Sequence, residues 1–265
     1  MKVPLLGFVA CVLTLSTHSA ADRINVAEDE ASHSAYNAGW ETGRNGGAGF
    51  GEWVLASQGG SQPDSHAGFF VADIEDHPNL QGAAVSNRAF GLFANGVVYE
   101  AAVAFRTLAS PLQVGDSFSL LFECDDFVTK FDSDDEKAGL VGFALRNGSA
   151  SGHWTDYDKN ARFRFGFAQG EGNYIVRDGE SSHDTGVPLN PDGVAVTVTL
   201  TGPDTYDMEI TLLNADETIR LEGRKLAGPA GTPIESFSVF NIDGEKEDVF
   251  FNGLQVSRSA DSVGR

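Results

Sequence analysis

Ala161-Arg162-Phe163-Arg164-Phe165-Gly166-Phe167 alternates apolar and polar residues along its central run. Side chains of a β-strand point to opposite faces in turn, so three phenylalanines share one face and two arginines the other. The stretch predicts a strand with one buried and one wet face. The same period recurs in Val194 to Leu200, where Val194, Val196, Val198 and Leu200 oppose Ala195, Thr197 and Thr199, and again in Tyr206 to Leu212. Working outward, further strands are predicted over Glu52–Ala56, Gly68–Asp73, Ala89–Ala94, Val97–Leu108, Ser117–Glu123, Leu140–Arg146, Tyr174–Arg177, Thr218–Leu226, Ser236–Ile242 and Val249–Val256. Turn-forming pairs separate them, among them Asn95-Gly96, Asn147-Gly148, Asp178-Gly179, Asp192-Gly193, Gly202-Pro203 and Asp243-Gly244. About a dozen short strands so spaced, with no amphipathic helix of useful length, predict an all-β, two-sheet antiparallel sandwich. The sequence shows neither an internal repeat nor an interdomain linker.

The ends read differently. Lys2, the apolar run Leu5 to Leu15 and the small residues Ser19-Ala20-Ala21 have the order of a signal peptide, 1–21. The run is too short to span a bilayer, and no second one follows, so membrane insertion is not expected. One sandwich domain is predicted over 22–256, with a polar C-terminal tail at 257–265. Cleavage before Asp22 removes one lysine and no acid, taking the formal charge from −20 to −21. A chain so acidic repels nucleic acid and anionic membranes and disfavours polyanionic ligands such as sulfated glycans. Cys124 is then the one cysteine left, which rules out an intramolecular disulfide; its place in a strand pattern marks it as a buried apolar residue.

The opening of the domain is glycine-rich: Asn37-Ala38-Gly39-Trp40, Gly43, Asn45-Gly46-Gly47, Gly49-Phe50-Gly51 and Trp53. Its glycines permit close backbone approach, and Trp40, Phe50 and Trp53 are predicted to anchor the segment on the sandwich. Together with Gly68-Phe69-Phe70, Ser86, Phe90 to Ala94, Leu112 to Ser119, Val141-Gly142-Phe143, Leu145-Arg146-Asn147 and Asp248 to Val256, this motif resembles a module of secreted bacterial proteins with no established activity. The resemblance spans nearly the whole domain and implies a concanavalin-like, laminin-G-like jelly roll. Sugar binding is frequent on that architecture, which is a fold-level analogy.

Catalytic sets on such sandwiches are incomplete here. A retaining glucanase needs paired carboxylates on one strand face, and Glu123 and Asp125 have no second glutamate. The set of Arg-x-Glu, Gln-x-His and Tyr-x-Lys-x-Gly-x-Tyr strands of alginate-type lyases is incomplete, and a Gly-x-Ser-x-Gly elbow is missing. The six histidines lie without zinc-site spacing. A hydrolase or lyase assembled only by the fold stays open as an alternative.

Two loops carry the candidate sites. Asp125, Asp126, Asp132, Asp134, Asp135 and Glu136 place six carboxylates in a dozen residues. Such density suits a hard cation with six to eight oxygen ligands, so calcium is the candidate cofactor, with a solvated acidic loop as the alternative. Gly148 to Asn160 holds Trp154 and Tyr157 among polar neighbours. An exposed indole can stack on the C–H face of a pyranose, while Asp156, Asp158 and Asn160 meet its hydroxyls. Alternatively Trp154 folds back to cap the sandwich edge. Arg162 and Arg164, on the polar face of the adjoining strand, either join this surface or pair with nearby acids. The leading expectation is an exported lectin-like module for a neutral polysaccharide, assisted by calcium. A structural envelope or matrix protein is the remaining alternative.

Overall fold

The computed structural model describes residues 23–59, 66–95, 100–124, 139–215, 217–244 and 248–260. Among these the chain forms β1 (Arg23–Asp29), β2 (Phe50–Gln58), β3 (His66–Asp73), β4 (Arg88–Asn95), β5 (Ala101–Leu108), β6 (Ser117–Cys124), β7 (Leu140–Arg146), β8 (Ala161–Ala168), β9 (Asn173–Asp178), β10 (Ser181–Pro188), β11 (Val194–Gly202), β12 (Thr205–Leu212), β13 (Thr218–Lys225), β14 (Ser236–Ile242) and β15 (Val249–Ser259). Two short 3-10 turns, Ser34–Tyr36 and Trp154–Asp156, are the helical elements described. No helix among the described residues is long and apolar enough to cross a membrane.

The strands form two antiparallel sheets packed face to face, a jelly-roll-like sandwich. One runs β13-β12-β11-β6-β15-β4-β3, with β1 also paired to β15; the other runs β10-β9-β8-β7-β14-β5-β2. β15 bends between Asn252 and Gln255, so its first half pairs with β4 and its second half with β1. It continues to Ser259, three residues past the strand end expected at Val256, because β1 supplies hydrogen-bond partners that the strand's own sequence does not reveal.

The core lies between the sheets. Phe163, Phe165 and Phe167 of β8 enter it as the alternation predicts, meeting Phe122, Phe143, Tyr174 and Tyr206. Burying side chains of this size stabilises the fold by about 1.5–3 kcal/mol each. The outer face of the seven-stranded sheet is not wet as expected. Ala101, Val103, Phe105, Ala144, Phe240 and Ile242 form a second apolar cluster there. Its central strands β5 and β14 are thus buried on both faces, which is why their sequences lack a period of two.

The glycine-rich segment is architectural. Trp40 and Trp53 meet edge to face at 5.0 Å and both pack on Phe90. Beneath them Arg106 and Asp29 form a fully buried ion pair. Arg106 lies over the rings of Phe50 and Trp53 and also donates to Gly51 O and Asn45 Oδ1. The Tyr36 hydroxyl donates to Asp29 and accepts from Gly46 N and Trp53 Nε1. A Cβ on Gly47 would stand 1.8 Å from Glu28 O, so the chain can pass β1 there only as glycine. Elsewhere Glu123 is buried and accepts from Gln81 N (2.9 Å) and Ala83 N (2.6 Å), holding the loop that covers the outer face of the other sheet. Asp178 takes Tyr206 Oη at 2.6 Å and Arg224 at 2.8 Å, tying one sheet to the other.

Candidate functional site

Residues 147–160 leave β7 and return to β8 across the outer apolar cluster. Asn147 N donates to Asn160 O and closes the neck, with Asn160 at φ +58°. Ala150 N donates to Thr107 Oγ1, Gly148 N to Glu235, Arg146 Nε to Lys159 O and Ser238 Oγ to Tyr157 O. Within the loop His153 accepts from Thr155 N and caps the 3-10 turn that carries Trp154. So tethered, the loop presents its rings at defined positions.

Trp154 is half-buried, stacked on His153 at 5.8 Å, with its body against the apolar cluster. Tyr157, also half-buried, meets Phe240 edge to face at 5.0 Å. Both rings therefore cap the sheet on one side and face outward on the other, a mixture that polar sequence neighbours do not suggest. Asp156 is occupied within the loop by Ser151 Oγ (2.6 Å) and Lys159 (3.3 Å). Chiefly through the Ser151 hydrogen bond, its carboxyl lies below the ordinary carboxylate range. Asn160 is exposed at the neck.

The two arginines of β8 pair with nearby acids, one of the two readings of the sequence, and it is their burial that departs from expectation. Both lie on the face opposite the phenylalanines, yet both are buried. Arg162 turns away from the loop, bonding Asp204 at 2.6 Å and Pro229 O, because the segments around Gly228 cover it. The same contact holds Asp204 below the usual carboxylate range. Arg164 pairs with Asp158 at 2.7 Å and stays beside Tyr157. Burial, followed by the neighbouring Arg177, lowers its guanidinium from the ordinary value. Burial and then Asp158 raise the Tyr157 hydroxyl, against the opposing pull of Arg164 and Arg177.

Arg177 is the residue that sequence reasoning missed. In the β8–β9 hairpin it stands directly across from Arg164, and its side chain is exposed. The usable signal was the turn Gln169-Gly170-Glu171-Gly172, since a hairpin centred between Gly170 and Glu171 sets 164 opposite 177. Two adjoining depressions meet at this pair; the larger, of about 210 Å³, is lined by Asp158, Ala161, Arg164, Arg177, Asp178 and Ala227. A roomier hollow of about 600 Å³ lies beside β1 and Gly46–Ala48; the exposed His33 ring lines it, and no arginine does. Its acids are engaged, Asp29 with Arg106, Glu28 with Asn25 and Glu30 with Ser32. The candidate calcium ligands Asp125, Asp126, Asp132, Asp134 and Asp135 lie outside the described residues. Among the described residues no three His, Cys, Asp or Glu side chains group as a metal site.

No protein-family model matches the sequence, and no curated protein does. Solved structures do match, distantly. A protein of unknown function with a galectin-like fold from Bacillus subtilis is 8% identical, with a TM-score of 0.40 over 77% of this chain and 88% of that one. The carbohydrate recognition domain of Emp47p is 12% identical, with a TM-score of 0.40 over 78% and 96%. The lectin UEA-II, solved with galactose, is 11% identical, with a TM-score of 0.39 over 90% and 100%. The likeness is to several lectin-like β-sandwiches rather than to one concanavalin or laminin-G family, and at these values it concerns the fold alone.

Proposed function

We propose that this chain is an exported, lectin-like carbohydrate-binding module whose ligand lies on the outer face of the seven-stranded sheet. One observation carries the reading: Trp154 and Tyr157 are half-exposed rings fixed by a hydrogen-bonded loop, beside the charged groups of Asp158, Arg164 and Arg177. Rings of this kind offer an apolar platform to a pyranose face, and charged groups at its edge orient hydroxyls. The depressions are shallow, so affinity is expected to be weak and to gain from repeated units of a polymer. Export rests on the leader-like segment 1–21, and calcium on the composition of the acidic loop.

The test is retention of the protein expressed without residues 1–21 on insoluble polysaccharides, with calcium and with chelator. Trp154→Ala, checked for an unchanged far-UV spectrum, is expected to bind about tenfold more weakly. Loss on chelation alone supports calcium. Equal retention of the variant and the parent would move the site away from the loop.

A further inference from the structure

Arg164 and Arg177 are directly opposed across antiparallel strands, an arrangement of like charges that is unfavourable unless something lies between them. Asp158 serves Arg164, but no carboxylate of the described residues comes within 4.0 Å of Arg177. Arg23 and Lys225 likewise have no ion pair among the described residues, so what sets Arg177 apart is the second arginine directly across the strands.

The surroundings define what fits there. Beside the arginine row, the next cross-strand row on the same face runs Ile175, Gly166, Gly142 and Phe240. Gly142, Gly166 and Phe240 in that row are buried and Ile175 is half-buried. Tyr157 stands at its Phe240 end, against that ring. The half-exposed Tyr157 ring offers the apolar face for a sugar, and Arg164 and Arg177 line a depression of about 210 Å³ in which guanidinium N–H groups can meet a carboxylate.

We propose that Arg164 and Arg177 together hold the carboxylate of a uronic acid, so that the glycan recognised on this face is an acidic one. This rests on the carbohydrate reading above and replaces the neutral polymer expected from total charge. Net charge acts through a field that physiological salt screens within about 8 Å, whereas the two arginines act in contact. A carboxylated oligosaccharide is therefore repelled at a distance and held at this pair.

The experiment is a binding titration of the protein expressed without residues 1–21, against a panel of short oligouronides, their methyl esters and neutral oligosaccharides. Parent, Arg177→Gln and Arg177→Lys run in parallel. Esterification removes the charge and leaves the ring. At least one oligouronide is expected to bind, with its ester and Arg177→Gln each weaker by about tenfold or more and Arg177→Lys intermediate. Acid and ester binding alike, or neutral oligosaccharides alone, would overturn the uronate while leaving the carbohydrate reading intact. Acetate competing as strongly per carboxylate as the oligouronide would overturn it too, by showing a plain anion site. Silence of the whole panel would defeat both readings. Arg177 is exposed, so its variants are expected to melt with the parent, and a thermal scan checks this.

Discussion

Arg106 and Asp29 have no contact with water, and besides Glu30 N, which donates to Asp29, the groups bonded to them belong to the glycine-rich segment or to Tyr36. Removing one partner strands the other in a dry interior. Arg106→Met is therefore expected to cost about 3–5 kcal/mol of unfolding free energy, read by urea denaturation. The double variant with Asp29→Asn should cost less than the two single changes together, since it leaves no lone charge. Tyr36 extends the argument to pH. Burial, and then its hydrogen bond to Asp29, push its hydroxyl up to about 12. A group whose value is raised in the fold contributes stability that is complete below its unfolded value, near 10, and is lost as pH climbs through about 12. Tyr174 and Tyr206 are raised as well, chiefly by burial. Stability is thus expected to hold level to about pH 10 and then fall, with phenolate absorbance rising together with unfolding. Phenolate assigned to Tyr36, as the absorbance that Tyr36→Phe removes, and appearing near pH 10 in a still-folded chain would contradict the buried Tyr36 cluster.

Strands were legible where side-chain polarity or bulk alternates between their two faces. β8, β11 and β12 show it in Phe163, Val196 and Met208, each buried between residues of another kind. β1 and β10 were missed for a physical reason. Ser181 to Pro188 is polar along most of its length and buries only Thr185 and Val187, as suits a strand at the edge of its sheet. Arg23 to Asp29 is charged at both ends and is held by β15, a partner more than two hundred residues away in sequence. Element-scale packing also explains two strand glycines that alternation leaves unexplained. Gly142 and Gly166 face each other across β7 and β8; a Cβ on either would come within 2.1 Å of a carbonyl of the other strand. Gly142→Ala is expected to destabilise by about 1–3 kcal/mol and to lower the melting temperature accordingly. An unchanged melting temperature would mean that the strands can separate there at no cost.

At the scale of the whole molecule, a formal charge of −20 on 265 residues opposes the compact state by self-repulsion. Salt screens that repulsion, so raising sodium chloride from about 10 mM to about 0.5 M is expected to raise the melting temperature by a few degrees. A fall would mean that ion pairs such as Arg164–Asp158 outweigh the repulsion. Sequence by itself determined the fold class, most of the strands, the burial of Trp40, Phe50, Trp53 and Cys124, and the loop carrying Trp154 and Tyr157. These follow from local periodicity, turn chemistry and the cost of wetting large apolar groups, all written in neighbouring residues. Tertiary structure decided the rest. It buried Arg162 on Asp204, turned Glu123 to the backbone of 81–83, dried the outer face of one sheet and brought Arg177 against Arg164. Strand period states which face a side chain takes, but what covers that face, and which residue stands across from it, depends on the register and packing of distant strands.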